Sequence, residues 1–263
     1  QMGGAGTDNS YSIILDSSEN IYVTGSFTGT SDFDPGVGTF NLTSNGTNSD
    51  IFIAKLDTAG NFVWAKQVGG TGTDLSNTIS LDVSGNIYTT GYFRGTVDFD
   101  PGSGTFDLNS AGSDEVFISK YDSAGNFVWA NNIGGADSDK GVSIAIDAAE
   151  NIYAAGNFKG TADFDPGTGN FDLTSGGDYD VFILKLGAGT TGISGEFKNS
   201  DFKIYPNPTN GILHFSGSAN AQLVNLAGQI VAARKNVNKL DLSEQATGVY
   251  FLVLTNTNGE VIQ

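Results

Sequence analysis

The sequence contains no cysteine and only one histidine, His214. The absence of cysteine excludes a disulfide scaffold, a thiol nucleophile and a cysteine-based zinc site, and a single histidine excludes a multi-histidine metal centre. A Ser-His-Asp triad would have to use His214, which has no acidic or hydroxyl partner at a diagnostic spacing. We therefore expect His214 to be a surface or packing residue. The longest apolar runs are far shorter than the ~18 residues that a membrane-spanning helix needs.

Basic residues are also scarce. There are 12 lysines and arginines against 29 aspartates and glutamates, which gives a formal net charge of −17 at pH 7. The imbalance is confined to residues 1–186, which hold 24 acids and 7 bases, whereas residues 187–263 hold 5 of each. Because an acidic surface repels phosphate groups, nucleic acid and anionic membranes are not expected partners. The charge distribution also indicates that the chain has two different parts.

Glycine, by contrast, is abundant, at 37 of 263 residues, and it marks an internal repeat. The pair Gly3-Gly4 recurs as Gly69-Gly70 and as Gly134-Gly135, at offsets of 66 and then 65 residues. A fixed period of this length indicates a repeat architecture. Three copies fill residues 1–186, and they occupy about 5–66, 67–131 and 132–186.

Each copy predicts four short strands that are rich in Ile, Val, Tyr and Phe. In the first copy the strands are expected at residues 11–16, 21–27, 50–57 and 62–69. Turns that begin with Asp and end with Asn, such as Asp16–Asn20 and Asp57–Asn61, close two tight hairpins. A longer excursion, residues 28–49, joins these hairpins and is expected to form an extra small hairpin. The layout is typical of a β-propeller blade and predicts an all-β fold.

Three sequence patterns carry a family resemblance in this part of the chain. They are Asp-x-x-Gly-Asn-Ile-Tyr-x-Thr-Gly, Asp-x-Phe-Ile-x-Lys and Gly-Asn-Phe-Val-Trp-Ala. They resemble the bacterial β-propeller repeat of the SBBP type over residues 1–186, which implies a partial propeller of three four-stranded blades. Propeller rings typically have four to eight blades. We therefore expect the chain to be the C-terminal piece of a longer protein, whose missing N-terminal part would supply the outer strand that the third copy lacks.

The smaller part of the chain is unrelated to the repeats. Residues 187–200 have no periodicity and are expected to form a flexible linker. Residues 201–263 predict a small Ig-like β-sandwich. Its strands are expected at residues 212–216, 222–226, 230–233, 239–242 and 249–255.

Three motifs in residues 201–263 occur in a fixed order: Tyr205-Pro-Asn-Pro-Thr-Asn-Gly211, Val224-Asn-Leu-Ala-Gly-Gln229, and Leu240-Asp-Leu-Ser243 followed by Gly248-Val-Tyr-Phe251. They resemble the type A C-terminal sorting domain of the type IX secretion system of Bacteroidetes-type bacteria. The resemblance implies a secreted or cell-surface protein and, as partners, a translocon, a carrier and a sortase. The sorting residues that it identifies are Tyr205, Pro206, Asn207, Pro208, Gly211, Gly228, Gly248 and Tyr250. The family usually ends in a further basic strand, so we expect that strand to be truncated in this chain.

The best candidate for metal chemistry is the repeated segment Asp-Phe-Asp-Pro-Gly. Two carboxylates that are two residues apart beside a Pro-Gly turn could ligate Ca²⁺, or they could simply fix the turn. The six acids are Asp32, Asp34, Asp98, Asp100, Asp163 and Asp165. Asp8, Asp74 and Asp139, which follow the Gly-Gly pairs, are expected to accept hydrogen bonds from turn amides.

Function is predicted less directly than the fold. The repeated Trp64 and Trp129 could stack on sugar rings, although packing between blades is the expectation for a repeated tryptophan. Almost every acid in residues 1–186 belongs to the repeat, so no catalytic residue is predicted, and a binding or structural propeller with an extracellular glycan or protein ligand is expected rather than an enzyme. The alternative is a glycan-active propeller enzyme with its site in missing upstream blades.

Overall fold

The computed structural model describes residues 1–167, 169–187, 204–205, 212–225, 230–243 and 250–255. The chain divides into two compact units, residues 1–193 and 194–263. Every regular element within the described ranges is a β-strand, which confirms the all-β fold. No described segment is a helix long and apolar enough to cross a membrane. Apart from Gly187, the predicted linker lies outside the described residues.

The first unit contains the repeats. Its strands are β1 (Gly3–Gly4), β2 (Asp8–Leu15), β3 (Ile21–Phe27), β4 (Thr30–Asp32), β5 (Asn41–Thr43), β6 (Asp50–Leu56), β7 (Phe62–Gly70), β8 (Leu75–Leu81), β9 (Ile87–Phe93), β10 (Thr96–Asp98), β11 (Asp107–Asn109), β12 (Glu115–Tyr121), β13 (Phe127–Gly135), β14 (Lys140–Ile146), β15 (Ile152–Asp163) and β16 (Asp172–Leu186). Strands β2-β3-β6-β7 form one antiparallel blade, and β8-β9-β12-β13 form the next. Strands β14, β15 and β16 form the third. The predicted partial propeller is therefore confirmed.

The predicted excursion forms a hairpin that connects neighbouring blades. In the second repeat, β10 pairs with β11 and also with the end of β7, so that Val97 faces Gly70 and Asp98 faces Gly69. The same pairing joins β4 to β1 and the end of β15 to β13. Each hairpin therefore extends the sheet of the preceding blade by strand addition.

Glycine is required where these hairpins meet the outer strands. A Cβ atom added to Gly70 would lie 2.1 Å from the carbonyl oxygen of Thr96, which is a backbone atom of the neighbouring strand. Because backbone cannot move aside as a flexible side chain can, any larger residue forces the two strands apart. The Gly-Gly pair is thus a consequence of the link between blades.

We expect Gly70→Ala to destabilise the repeat unit by about 1–3 kcal/mol, the usual range for overpacking. The matched control is Gly177→Ala, because a Cβ at Gly177 meets no atom within 4 Å. Urea unfolding followed by tryptophan fluorescence measures both variants. Equal stability of the two variants would show that β10 does not hold β7 as described.

Apolar side chains fill the space between consecutive blades. One buried cluster joins Ile51 and Val68 of the first blade to Ile87 and Phe117 of the second, and a second cluster joins Trp129 to the third blade. Phe33 and Phe40 pack the first hairpin down as expected, with ring centroids 4.9 Å from Phe52 and 4.8 Å from Phe62, respectively. Burial between repeats is the main source of their stability.

The third blade differs from the first two at its outer edge. Within the described residues, β16 pairs only with β15, and it leaves Val181 and Ile183 at 71% and 83% exposure. The corresponding edges of β6 and β12 are covered by β7 and β13. Among the residues that the structure describes, the third blade thus has three long strands, and no outer strand covers β16 as β7 covers β6.

The second unit contains β17 (Ile204–Tyr205), β18 (Ile212–Asn225), β19 (Ile230–Asp241) and β20 (Tyr250–Thr255). Strand β18 pairs with all three others in a four-stranded antiparallel sheet over a core that includes Phe215, Leu223 and Leu254. The prediction that strands stop at residues 216 and 233 was wrong. Both β18 and β19 continue past these positions. The pairing between them is kept up by register shifts between His214 and Ala221, so the irregular segment does not end either strand.

Candidate functional site

The six acids predicted to bind calcium lie in the hairpins that connect the blades. In the first copy, Asp32 Oδ1 accepts hydrogen bonds from the amides of Asp34 (3.0 Å) and Phe40 (2.8 Å), and Asp34 Oδ1 accepts one from the amide of Gly36 (2.8 Å). These amide bonds lower the pKa of Asp32. The second and third copies repeat the arrangement at Asp98/Asp100 and Asp163/Asp165. Each pair therefore fixes its own turn.

In each of the six acids one carboxylate oxygen accepts a hydrogen bond within the turn, which leaves the other oxygen for a ligand. Calcium ligation by these pairs stays a prediction. Among the described residues, no group of three or more His, Asp or Glu side chains is placed to hold a metal ion. Calorimetry of the full chain with CaCl₂, beside a variant carrying Asp34→Asn, Asp100→Asn and Asp165→Asn, tests the prediction. If calcium binds, the wild type shows a heat of binding and a rise in melting temperature that the triple variant lacks. A wild type that shows neither contradicts the prediction.

A groove of about 400 Å³ brings acids of one repeat next to an aromatic residue, Phe40, of the preceding repeat. Asp98, Asp100 and Pro101 form one wall, and Phe40 and Gln67 belong to the other. The groove is a product of strand addition between blades, so neither repeat forms it alone.

Both tryptophans serve packing between blades, as expected for a repeated residue. Trp129 is only 9% exposed within the cluster shared by the second and third blades. Trp64 packs against the cluster shared by the first and second, and a Cβ at Gly125 would lie 3.1 Å from its ring. Each indole also meets a tyrosine edge, with centroids 6.2 Å apart for Tyr22–Trp64. A sugar-stacking role for either ring is not supported by this placement.

The aspartates that follow the Gly-Gly pairs accept turn amides as predicted. Asp74 Oδ2 accepts the amide of Gly70 at 2.7 Å, and Asp139 Oδ2 accepts that of Gly135 at the same distance. Both side chains are completely buried. The amide bonds therefore hold a buried carboxyl at each junction between blades.

A second buried acid faces each of these junctions, and sequence reasoning missed it. Asp50 is fully buried beside Asp74, and Glu115 is 3% exposed beside Asp139. Burial raises the pKa of Asp50 to about 6 and, together with the charge of Asp50, that of Asp74 to about 7. Asp50 Oδ2 accepts hydrogen bonds from the Asn45 amide and from Gln67, but Oδ1 has no partner among the described residues.

Residues that break the repeat converge where the second and third blades meet. Arg94 replaces Thr28 of the first copy and is matched by Lys159 in the third, and Asp114 lies where Ser49 does in the first copy. Lys140, at the start of β14, replaces Leu75 of the second copy. Their departure from the repeat was the signal in the sequence that could have identified them. We name Tyr92, Arg94, Asp114, Ser138 and Lys140 the Asp114 cluster.

The Asp114 cluster is built around a buried carboxylate. Arg94 Nε donates to Oδ1, Ser138 Oγ donates to Oδ2 at 2.9 Å, and Lys140 Nζ lies 3.2 Å from Oδ2. Burial would raise the pKa of Asp114, but these three partners outweigh it and hold that pKa below its ordinary value. Lys140 Nζ also lies 4.8 Å from the ring centroid of Tyr92. The carboxylate is thus ionised and neutralised by two cations.

The predicted sorting residues are only partly within the described ranges. Tyr205 pairs with His214 through the backbone, and Tyr250 pairs with Asn225. His214 is an exposed residue of β18, in keeping with the expectation from the sequence. The other predicted sorting residues, which lie outside the described residues, are Pro206, Asn207, Pro208, Gly211, Gly228 and Gly248.

Comparison with known families agrees with this two-part organisation. Residues 1–34 and 63–92 match the β-propeller repeat family, and residues 203–263 match the family of secretion system C-terminal sorting domains. The chain carries β-propeller repeats followed by a C-terminal sorting domain. This sorting domain belongs to the type IX secretion system, so the protein is exported and is secreted or displayed on the cell surface.

Individual relatives of this propeller repeat protein match smaller parts of it. A WD repeat-containing protein of Acanthamoeba polyphaga mimivirus is 30% identical over 121 residues, which are 41% of this chain and 9% of the relative. The regulatory protein FlaEY of Caulobacter vibrioides is 23% identical over 130 residues, 49% of this chain and 13% of the relative. The chain therefore spans a small fraction of the curated relatives that it matches.

One solved structure covers nearly the whole propeller repeat protein at low similarity. It is the extracellular domain of a protein described as a hybrid two component system from B. thetaiotaomicron, and it is 10% identical. The alignment covers 96% of this chain and 49% of that one, with a TM-score of 0.23. A TM-score this low does not show that the two chains share a fold.

Proposed function

We propose that the propeller is a binding module that acts outside the cell and recognises an extracellular glycan. The observation that carries the proposal is the Asp114 cluster, a set of charged and aromatic residues that interrupts the repeat on an exported protein. Positions that depart from a structural repeat are free of its packing rules and are available for ligand contacts.

We propose further that the module is not an enzyme. Glycoside hydrolysis needs two carboxyl groups, one of which must hold a proton and the other remain available to the sugar. The acid that departs from the repeat, Asp114, is neutralised by Arg94 and Lys140. The repeated acids in the hairpins accept backbone amides in turns, and the protonatable pair Asp50 and Asp74 is fully buried, out of reach of a sugar. These arrangements favour rigidity and binding over proton transfer.

The partners in export are proposed at the level of the secretion machinery. The sorting domain supports handling by a type IX translocon and by a carrier that reads the domain, with subsequent removal by a surface sortase. Strands β19 and β20, which within the described residues pair only with β18, offer backbone edges that such a carrier could pair with or cover.

A glycan panel tests the binding proposal. The full chain is screened for binding and for hydrolysis of neutral, acidic and sulfated oligosaccharides. We expect binding without hydrolysis. Hydrolysis that a single acidic substitution abolishes would establish the enzyme alternative, and binding only to proteins would replace the glycan by a protein ligand.

A further inference from the structure

The few basic residues of the three repeats, residues 1–186, are not distributed evenly. Of the seven in residues 1–186, three occupy the same repeat position and lie over tyrosine rings of their own blades, namely Lys55, Lys120 and Lys185. Lys66 lies beside the Asp122 turn, and Lys159 pairs with Asp178. The other two, Arg94 and Lys140, meet at one carboxylate.

This meeting of two cations at one anion leaves an excess of positive charge. The side chain of Asp114 is 3% exposed, whereas those of Arg94 and Lys140 are 52% and 37% exposed. The negative charge is therefore inside and the positive charge faces solvent. The three charged side chains of the Asp114 cluster sum to +1, and the neighbouring acids Asp74 and Asp139 are fully buried with raised pKa values.

The geometry of Arg94 favours a planar anion. Its Nε atom is used by Asp114, which fixes the orientation of the guanidinium group. Asp114 is the only carboxylate paired with Arg94 within the described part of the chain. The two terminal nitrogens form the fork that binds a carboxylate in a bidentate manner.

Aromatic faces lie beside the positive charge. The Tyr92 ring contacts Lys140, and Tyr11 is close enough to contribute to the raised pKa of Tyr92, which is due first to burial. Tyr11 is 46% exposed. A tyrosine face beside a cation suits a sugar ring that carries one negative group, because the ring packs on the aromatic surface while the charge reaches the guanidinium.

We propose that the Asp114 cluster binds the carboxylate of a uronic acid residue in a glycan, an inference that rests on the glycan-binding function proposed above. A single uronate fits better than a polyanion, because the surrounding acidic surface repels each further negative charge. Arg94 binds the carboxylate, Lys140 adds a second charge, and Tyr11 packs against the sugar ring.

The probe is a xylo-oligosaccharide that bears one glucuronic acid, and its matched partner is the same compound with the carboxyl group methyl-esterified. Calorimetry with the full chain is expected to show at least tenfold weaker binding of the ester. Binding of the acid is expected to weaken as salt is raised from 20 to about 300 mM, because screening reduces the attraction between the charges.

The protein variants are Arg94→Gln and, as the control, Lys159→Gln. Lys159 occupies the Arg94 position in the third copy and loses the same charge. We expect Arg94→Gln to weaken uronate binding at least tenfold and Lys159→Gln to leave it within twofold. Asp114 keeps Ser138 and Lys140 as partners in Arg94→Gln, and a melting curve verifies that the variant is folded. Arg94→Lys, which retains the charge, should restore part of the affinity.

The outcomes separate this inference from the function on which it rests. Equal affinity for the acid and the ester, or unchanged binding by folded Arg94→Gln, overturns the uronate site. Binding of neutral or sulfated glycans without uronate also overturns it but leaves the glycan-binding module standing. Failure of every glycan in the panel to bind overturns both.

Discussion

A protein that lacks residues 187–263 is expected to stay in the periplasm, with less than about a tenth of the normal amount reaching the cell surface. The experiment expresses the chain behind a Sec signal peptide in a bacterium that possesses the type IX machinery, with and without those residues. The physical reason is recognition, because the repeats contain no match to the sorting domain that the machinery reads. Surface labelling and fractionation measure the distribution.

The reciprocal experiment tests whether the domain is sufficient. Residues 187–263 are fused to the C-terminus of a periplasmic reporter. We expect the reporter to reach the surface. A reporter that stays periplasmic, while a known sorting domain exports it in parallel, would contradict the assignment of residues 203–263 to transport.

Asp50→Asn is expected to stabilise the propeller at pH 8. The carboxylate of Asp50 is fully buried, and its Oδ2 accepts two hydrogen bonds while Oδ1 accepts none from the described residues. Asparagine can keep the accepting oxygen in place and put its amide at the orphaned position. The substitution also removes the charge that helps to raise the pKa of Asp74.

The size and pH dependence of this effect follow from linkage. Burial raises the pKa of Asp50 from its ordinary value of 3.8 to about 6 in the folded protein, so between these pH values the folded state holds a proton that the unfolded state has lost. The free energy of unfolding therefore falls as pH rises from about 4 through 6, by about 3 kcal/mol for this group. Asp74, whose pKa is raised to about 7, lowers the free energy of unfolding further as pH rises through 7. We expect Asp50→Asn to recover most of the Asp50 contribution at pH 8 and little near pH 4.

Glu115→Gln is the matched control, since Glu115 takes the place of Asp50 in the second copy. Its two oxygens both accept hydrogen bonds, from the Ala111 amide and from Asn132, so an amide must lose one of them. We expect a smaller gain than for Asp50→Asn. Chemical unfolding at pH 5 and pH 8 compares the variants, and a wild type whose stability does not change between these values would refute the account of the buried acids.

Acids in the hairpin turns act in the opposite direction. The side chain and amide of Asn61 lower the pKa of Asp57, and the same turn recurs through the repeats. A lowered pKa contributes stability that is present above pH 4 and is lost as pH falls below it. The two classes of acid together place the most stable pH of the propeller at about 4, where the turn carboxylates are still ionised and the buried acids are still protonated.

The repeats made much of the fold predictable from the sequence. The strand Ile21–Phe27 was predicted with its observed bounds, because a run rich in Ile, Tyr and Val starts directly after a recognisable turn that ends at Asn20. The continuation of β18 and β19 was not predictable, since glycine and polar residues at 216–220 look like a turn until a partner strand is present. Local signals specify a hairpin, but only pairing decides whether a strand ends.

The candidate site was less predictable than the fold. The repeated pattern of Asp32 and Asp34 predicts a calcium site, and in the structure both acids accept hydrogen bonds from amides of their own turn. Arg94 and Asp114 come together through the pairing of β9 with β12, and Lys140 joins them only because the third blade packs on the second. Long-range contacts of this kind have no local signature.

Strand addition between blades also determines the order in which the protein can fold. The outer strand β7 ends in Gly69 and Gly70, whose partners in β10 lie about one half of a repeat later in the chain. During synthesis the first blade can form its four strands, but the end of its last strand stays unpaired until residues 96–98 have emerged. Every blade is therefore completed by its successor. During synthesis the blades can therefore be completed only in order from the N-terminus, and a chain interrupted between repeats is left with an open sheet edge that can pair with another molecule.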